Sequence, residues 1–156
     1  MSGLVLASGS PRRRVMLAAA LAHEGGRFEV RPVDLEEVAR ADEAPVDFAR
    51  RMAREKAAAG EGEHVLAADT IVTIDGRLLG KPKDAAEAAE MLRALSGREH
   101  AVVTAWAVKG GPSGQAMTVG HATTRVRFEA LGEEAIAEYV ASGEPMDKAG
   151  AYGIQG

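Results

Sequence analysis

Leu4-Val-Leu-Ala-Ser-Gly-Ser-Pro-Arg-Arg-Arg14 reads as a short apolar strand that passes through a Ser/Gly loop straight into a helix. Leu4–Ala7 is brief, apolar and followed by turn residues, as a buried strand is. Ser10 is suited to cap the helix, and Pro11 fits its first turn, where a missing N–H costs nothing. Backbone N–H groups at a helix start attract anions, and Arg12, Arg13 and Arg14 add positive charge at the same place. An ordinary strand–turn–helix is the plain alternative. It leaves three arginines that oppose the helix dipole without a reason. The segment therefore predicts a cradle for phosphate or carboxylate.

Outward from that segment, helical and strand periods alternate. Pro11–Leu21 reads as a helix stopped by Gly25-Gly26, and Phe28–Val33 as a half-buried strand that Pro32 places at an edge or ends early. Residues 34–44 are acidic and irregular. Pro45–Ala59 is helical, with Phe48, Ala49, Met52 and Ala53 on one face and Arg50, Arg51 and Arg54 mostly off it. His64–Ala68 is a second apolar strand, which Ile71–Ile74 continue after Asp69. Asp75-Gly76 turns the chain into Leu78-Leu79. Asp84 and Glu87 resemble a capping box for a helix over Ala85–Leu95. Ala101–Val108 and Ala116–Phe128 are strands joined by a hairpin turn over Lys109–Gly114, and Glu133–Val140 is the last helix. The order β-α-β-α-β-hairpin-α-β-β-α predicts an α/β fold, a mixed central sheet flanked by helices. In such sheets ligands sit at strand ends, where Ser8–Arg13 and Asp69-Thr70 both lie.

The bulk numbers narrow the classes. A chain of 156 residues fits one domain with a single core. No apolar run is long enough to span a bilayer, and the N-terminal apolar stretch stops at Ser8, short of a secretion signal. Without cysteine there are no disulfides, no thiolate metal site and no cysteine nucleophile, so the cytoplasm is the expected location and no membrane partner is expected. A net charge of −4 argues against a protein held on nucleic acid by bulk charge. P-loop, dinucleotide-fold and His-Glu-x-x-His patterns are all missing.

Several side chains stand out for chemistry. Asp69 follows Val65-Leu-Ala-Ala68, and charges are rarely buried unless paired or bound to metal. A turn-capping Asp fits the same position, and position alone leaves both open. Glu36 and Glu37 lie in the acidic loop, where most such pairs are simply solvated. Lys56 falls on the buried side of its helix, either as a functional cation or as a snorkelling lysine covering apolar surface. Lys81 sits between Gly80 and Pro82, in a loop stiff enough to hold an ammonium. Thr70, Gln155 and Arg13 can hydrogen-bond a base edge. His23, His64, His100 and His121 read as structural or surface residues.

Together Ser8-Gly-Ser-Pro-Arg-Arg13, Arg54-Glu-Lys-Ala57, Ala68-Asp-Thr70, Gly80-Lys-Pro82 and the tail Asp147–Gly156 resemble the signatures of the Maf family of nucleoside triphosphate pyrophosphatases. The resemblance implies a fold like that family's and the inosine triphosphatases'. It implies hydrolysis of a nucleoside triphosphate to monophosphate and pyrophosphate, with water attacking the α-phosphorus and nucleotide-pool housekeeping, linked to cell division, as the role. By resemblance Asp69 accepts or orients the water's proton, and a Glu of the acidic loop, Glu36 by spacing and Glu37 otherwise, joins Asp69 in holding a divalent metal, Mg²⁺ or Mn²⁺. Arg12, Lys56 and Lys81 face the triphosphate, and Ser8 and Ser10 cradle its oxygens. Arg13, Thr70 and Gln155 match the residues that accompany the dTTP- and UTP-hydrolysing type. The alternatives are the 7-methyl-GTP-hydrolysing type and a non-catalytic nucleotide-binding regulator of septation. Chains of the family continue past Gly-Ile-Gln-Gly into a further strand. Residues 1–156 are thus expected to form a single domain lacking that strand, and the uncovered edge favours pairing as a homodimer.

Overall fold

The computed structural model describes residues 3–111 and 116–153. Its elements are β1 (Leu4–Leu6), α1 (Pro11–Ala20), β2 (Glu29–Val30), α2 (Pro45–Ala59), β3 (His64–Ile74), β4 (Arg77–Leu79), α3 (Ala85–Leu95), β5 (Glu99–Gly110), β6 (Ala116–Arg127) and α4 (Glu133–Ala141). Short 3-10 turns lie at Ala22–Glu24, Glu144–Asp147 and Ala149–Ala151. The strands form one sheet in the order β2-β1-β3-β5-β6, with β4 on β3. β1 pairs in parallel with β2 and β3, whereas β3 and β4 are antiparallel, so the sheet is mixed and the fold is α/β. The chain forms two compact units, Met1–Asp69 with Ala105–His121, and Thr70–Thr104 with Ala122–Gly156.

In the first unit the core is built from Val5, Leu6, Phe48, Ala49, Met52, Ala53, Ala57, Val65 and Ala67, all buried. The buried side chains of α2 repeat at helical spacing, as an amphipathic helix requires. Gly60 ends α2 in extended backbone, packed close against β3. A Cβ on Gly60 would lie 2.6 Å from Val65 Cγ1. The Lys109 ammonium donates to the Gly60 carbonyl at 2.6 Å and covers that helix end. α1 buries none of its residues, and Val15 and Met16 face outward.

The second unit has its own core, with Val72, Ile74, Leu79, Ala88, Met91, Leu92, Leu95, Ile136 and Ala151 buried together. Asp84 caps α3 through its side chain, which accepts the Glu87 N–H at 2.8 Å. Glu87 answers onto the Lys83 N–H rather than onto the cap residue itself. Asp75 and Gly76 both have positive φ, 52° and 75°, in the tight turn that returns β3 into β4.

One expectation changes. The strand expected over Phe28–Val33 pairs only through Glu29–Val30, because Pro32 has no N–H for the ladder. As expected, β3 continues past Asp69, and it runs unbroken to Ile74. Side chains alternate faces along a strand, and Asp69 shares the buried face of Val65, Ala67 and Ile71. Half of the expected turn between β5 and β6, residues 112–114, falls outside the described residues.

Candidate active site

α1 starts where the sequence places it. Ser10 is its N-cap, with Oγ accepting the Arg13 N–H at 3.3 Å, and Pro11 occupies the first turn. The buried Ser8 hydroxyl accepts the Ser10 N–H at 3.2 Å and the Arg13 guanidinium at 3.3 Å. These bonds fold the loop tightly and turn Arg13 inward, while Arg12 and Arg14 stay exposed. Burial pushes the Arg13 guanidinium below the usual arginine range, and the negative charges of Asp69 and Glu37 oppose that shift.

Lys56 draws the two carboxylates together. Its ammonium donates to Asp69 Oδ1 at 3.1 Å and to Glu37 Oε1 at 2.5 Å. Asp69 is 7% exposed. Burial pushes its carboxyl above the usual carboxylate range, and Glu37 pushes the same way, whereas Lys56 and Arg13 oppose. A carboxylate in that state holds a proton at neutral pH more readily than a solvated one, as a general base must.

The neighbouring carboxylate is Glu37. Glu36 and Glu37 are both exposed, and the ion pair with Lys56 belongs to Glu37. Among the described residues no cluster of three or more His, Asp or Glu side chains could hold a metal. The site offers instead two carboxylates that already converge on one cation, the Lys56 ammonium. Such an oxygen pair suits a hard divalent ion whose remaining positions go to water and phosphate.

In the second unit Thr70 Oγ1 lies 3.0 Å from Thr104 Oγ1, so a second hydroxyl on β5 helps fix the first. Sequence reading missed Thr104, because it is 34 positions from Thr70 in sequence and only strand register joins them. Lys81 is exposed beside the buried Pro82, and the Gly80 carbonyl before it accepts the Gly150 N–H at 3.1 Å. A Cβ on Gly150, at φ 70°, would lie 2.7 Å from Val72 Cγ2. The tail thus needs glycine to approach β3 and pin the Lys81 loop. Gln155 lies outside the described residues.

Among the histidines, His100 is buried, with Nε2 2.6 Å from Tyr152 Oη and edge-on contacts to Phe128 and Tyr152. It is a structural residue of the second unit. His121 is exposed and lies against Arg50. No described helix is long and apolar enough to cross a membrane.

Comparison with known proteins adds to this geometry. A family model described as Maf-like protein matches residues 3–156. A dTTP/UTP pyrophosphatase of Anaeromyxobacter dehalogenans is 50% identical over 154 residues, covering 98% of this chain and 77% of that one. One of Methylococcus capsulatus is 50% identical, covering 98% and 75%. One of Salmonella typhimurium is 48% identical over 161 residues, covering 100% and 78%. Among solved structures, a HAM1 protein from Coxiella burnetii superposes with a TM-score of 0.55 at 23% identity, covering 99% of this chain and 89% of that one. The Staphylococcus aureus Ham1 protein gives 0.54 at 17% identity, covering 81% and 71%, a likeness of fold.

Proposed function

This chain belongs to the Maf-like protein family, and from that premise we propose that it is a nucleoside triphosphate pyrophosphatase. Its substrates are dTTP and UTP, its products the nucleoside monophosphate and pyrophosphate, and its place the cytoplasm. The observation that carries the reading is Asp69, a buried carboxylate with a raised affinity for protons, paired to Lys56 and next to Glu37. Relatives named dTTP/UTP pyrophosphatase at 48–50% identity support the substrate class.

Asp69 takes the proton of the attacking water, since burial raises its basicity while the Lys56 ammonium opposes that shift. Lys56 then holds its charge beside phosphate oxygens as negative charge builds on the leaving pyrophosphate. Arg13, fixed by Ser8, supplies a second positive charge, and Arg12 and Lys81 are further cations for the phosphates. Ser8 and Ser10 set the loop whose amides face the phosphates at the start of α1. Thr70, steadied by Thr104, and Gln155 read the base edge. A divalent Mg²⁺ or Mn²⁺ would be held by Asp69 with the acidic-loop carboxylate, Glu37 or Glu36, and when bound it polarises the phosphate and lowers the pKa of water.

Hydrolysis of dTTP and UTP in ¹⁸O-labelled water tests the reading. The expected products are pyrophosphate and a monophosphate that carries the label. Release of orthophosphate with a nucleoside diphosphate would overturn it.

A further inference from the structure

Glu37 sits on a segment with no strand or helix of its own. Residues 34–44 carry Asp34, Glu36, Glu37, Asp42 and Glu43. Five carboxylates on so short a stretch repel one another, and Glu37 is also repelled by Asp69. Asp42 turns the loop through a left-handed conformation, φ 63°, which aspartate tolerates better than most residues. Nothing in the loop itself explains why Glu37 stays beside Lys56.

A side chain on α2 supplies the missing hold. Arg51 grips Glu43 with two bonds, Nε to Oε2 at 2.7 Å and Nη2 to Oε1 at 2.8 Å. The same Nη2 donates to the Val38 carbonyl at 2.9 Å, one residue after Glu37. Nη1 turns back to Glu55 on its own helix at 3.0 Å, and the guanidinium lies 5.5 Å from the Phe48 ring centre. Glu43 also accepts the Arg40 N–H at 3.0 Å, closing the loop on itself. Both partners are shielded, with the Arg51 side chain 15% and the Glu43 side chain 11% exposed.

We propose that Arg51 is a positioning residue of the site, which grips Val38 and Glu43 so that Glu37 meets Lys56 beside Asp69. Arg51 and Lys56 lie five residues apart on α2. One rigid helix therefore carries both the clamp and the cation that Glu37 must reach, and the distance between them is set by helix geometry. Lysine cannot take the place of Arg51, because the forked, planar guanidinium is what meets two carboxylates and a carbonyl at once. The bond to Arg51 holds the Glu43 carboxyl at about 2, so the clamp stays charged throughout the neutral range.

The kinetic consequence rests on the proposed function, but the geometric claim does not, and the test separates the two. Arg51→Gln, Arg51→Lys and Glu43→Gln are compared with Arg93→Gln, which breaks an exposed pair to Glu133. Three readouts are taken: amide exchange of residues 34–44, the rate at which an amine reagent labels Lys56, and the kcat and KM of pyrophosphate release. The three clamp variants are expected to exchange faster over 34–44, to label faster at Lys56, and to lose about 10- to 100-fold in kcat with a smaller change in KM. Arg93→Gln is expected to match wild type. A clamp variant that melts earlier yet keeps wild-type Lys56 labelling and kcat overturns the proposal, leaving Arg51 a structural residue. If wild type releases no pyrophosphate, the proposed function fails, and exchange and labelling still decide the role of Arg51.

Discussion

At the residue scale the site is a buried carboxylate paired with one lysine. Asp69 binds its proton more tightly folded than unfolded, so its ionised form costs stability at every pH above its folded value. The penalty is absent below the ordinary value of 3.8, where both states are protonated. Asp69→Asn is therefore expected to raise Tm at pH 8, with the gain fading as the pH approaches the ordinary carboxylate range. Thermal scans across that range check this, and a lower Tm for the variant at pH 8 would contradict it. Loss of Lys56 removes the largest influence that lowers the Asp69 value. Lys56→Met is thus expected to move the acid limb of the kcat/KM profile to higher pH, besides lowering kcat. An unmoved limb would mean that a group other than Asp69 governs it.

At the element scale the match between sequence and structure is uneven for physical reasons. α2 and α3 occupy the expected Pro45–Ala59 and Ala85–Leu95, because Pro45, Asp84 and Gly60 mark ends and the apolar face repeats at helical spacing. The strand through Asp69 was harder to read, since a carboxylate inside an apolar run mimics a strand end. Period two along β3 was the available signal, with Asp69 in phase with Val65 and Ala67. That Glu37 rather than Glu36 meets Lys56 was not legible in the sequence. An irregular loop has no period, and the ion pair spans 19 positions. Gly60 tests how closely α2 must leave the strand beside it. Gly60→Ala sets a methyl 2.6 Å from Val65 Cγ1, and the expected loss is about 1–3 kcal/mol of stability by urea denaturation. An unchanged midpoint would mean that β3 yields freely there.

At the scale of the whole molecule, each compact unit has its own buried cluster and its own response to pH. The second unit encloses His100 against Phe128 and Tyr152, and burial holds its imidazole below the ordinary histidine value of 6.5. The unfolded chain thus takes up a proton at pH values where the folded one does not. Stability from this residue is complete above 6.5 and falls as the pH drops toward the folded value. His100→Phe is expected to flatten the decline of Tm between neutral and mildly acid pH, even though it loses the Tyr152 bond and starts lower. A decline as steep as in wild type would assign the acid sensitivity elsewhere.

The central claim is that Asp69 drives hydrolysis of pyrimidine nucleoside triphosphates. Its most direct test is pyrophosphate release from dTTP, UTP, 7-methyl-GTP and ITP with Mg²⁺ or Mn²⁺, by wild type and Asp69→Ala. The expected result is turnover of dTTP and UTP ahead of the purine nucleotides, abolished in Asp69→Ala. Equal activity in the variant, or a preference for 7-methyl-GTP, would contradict the account.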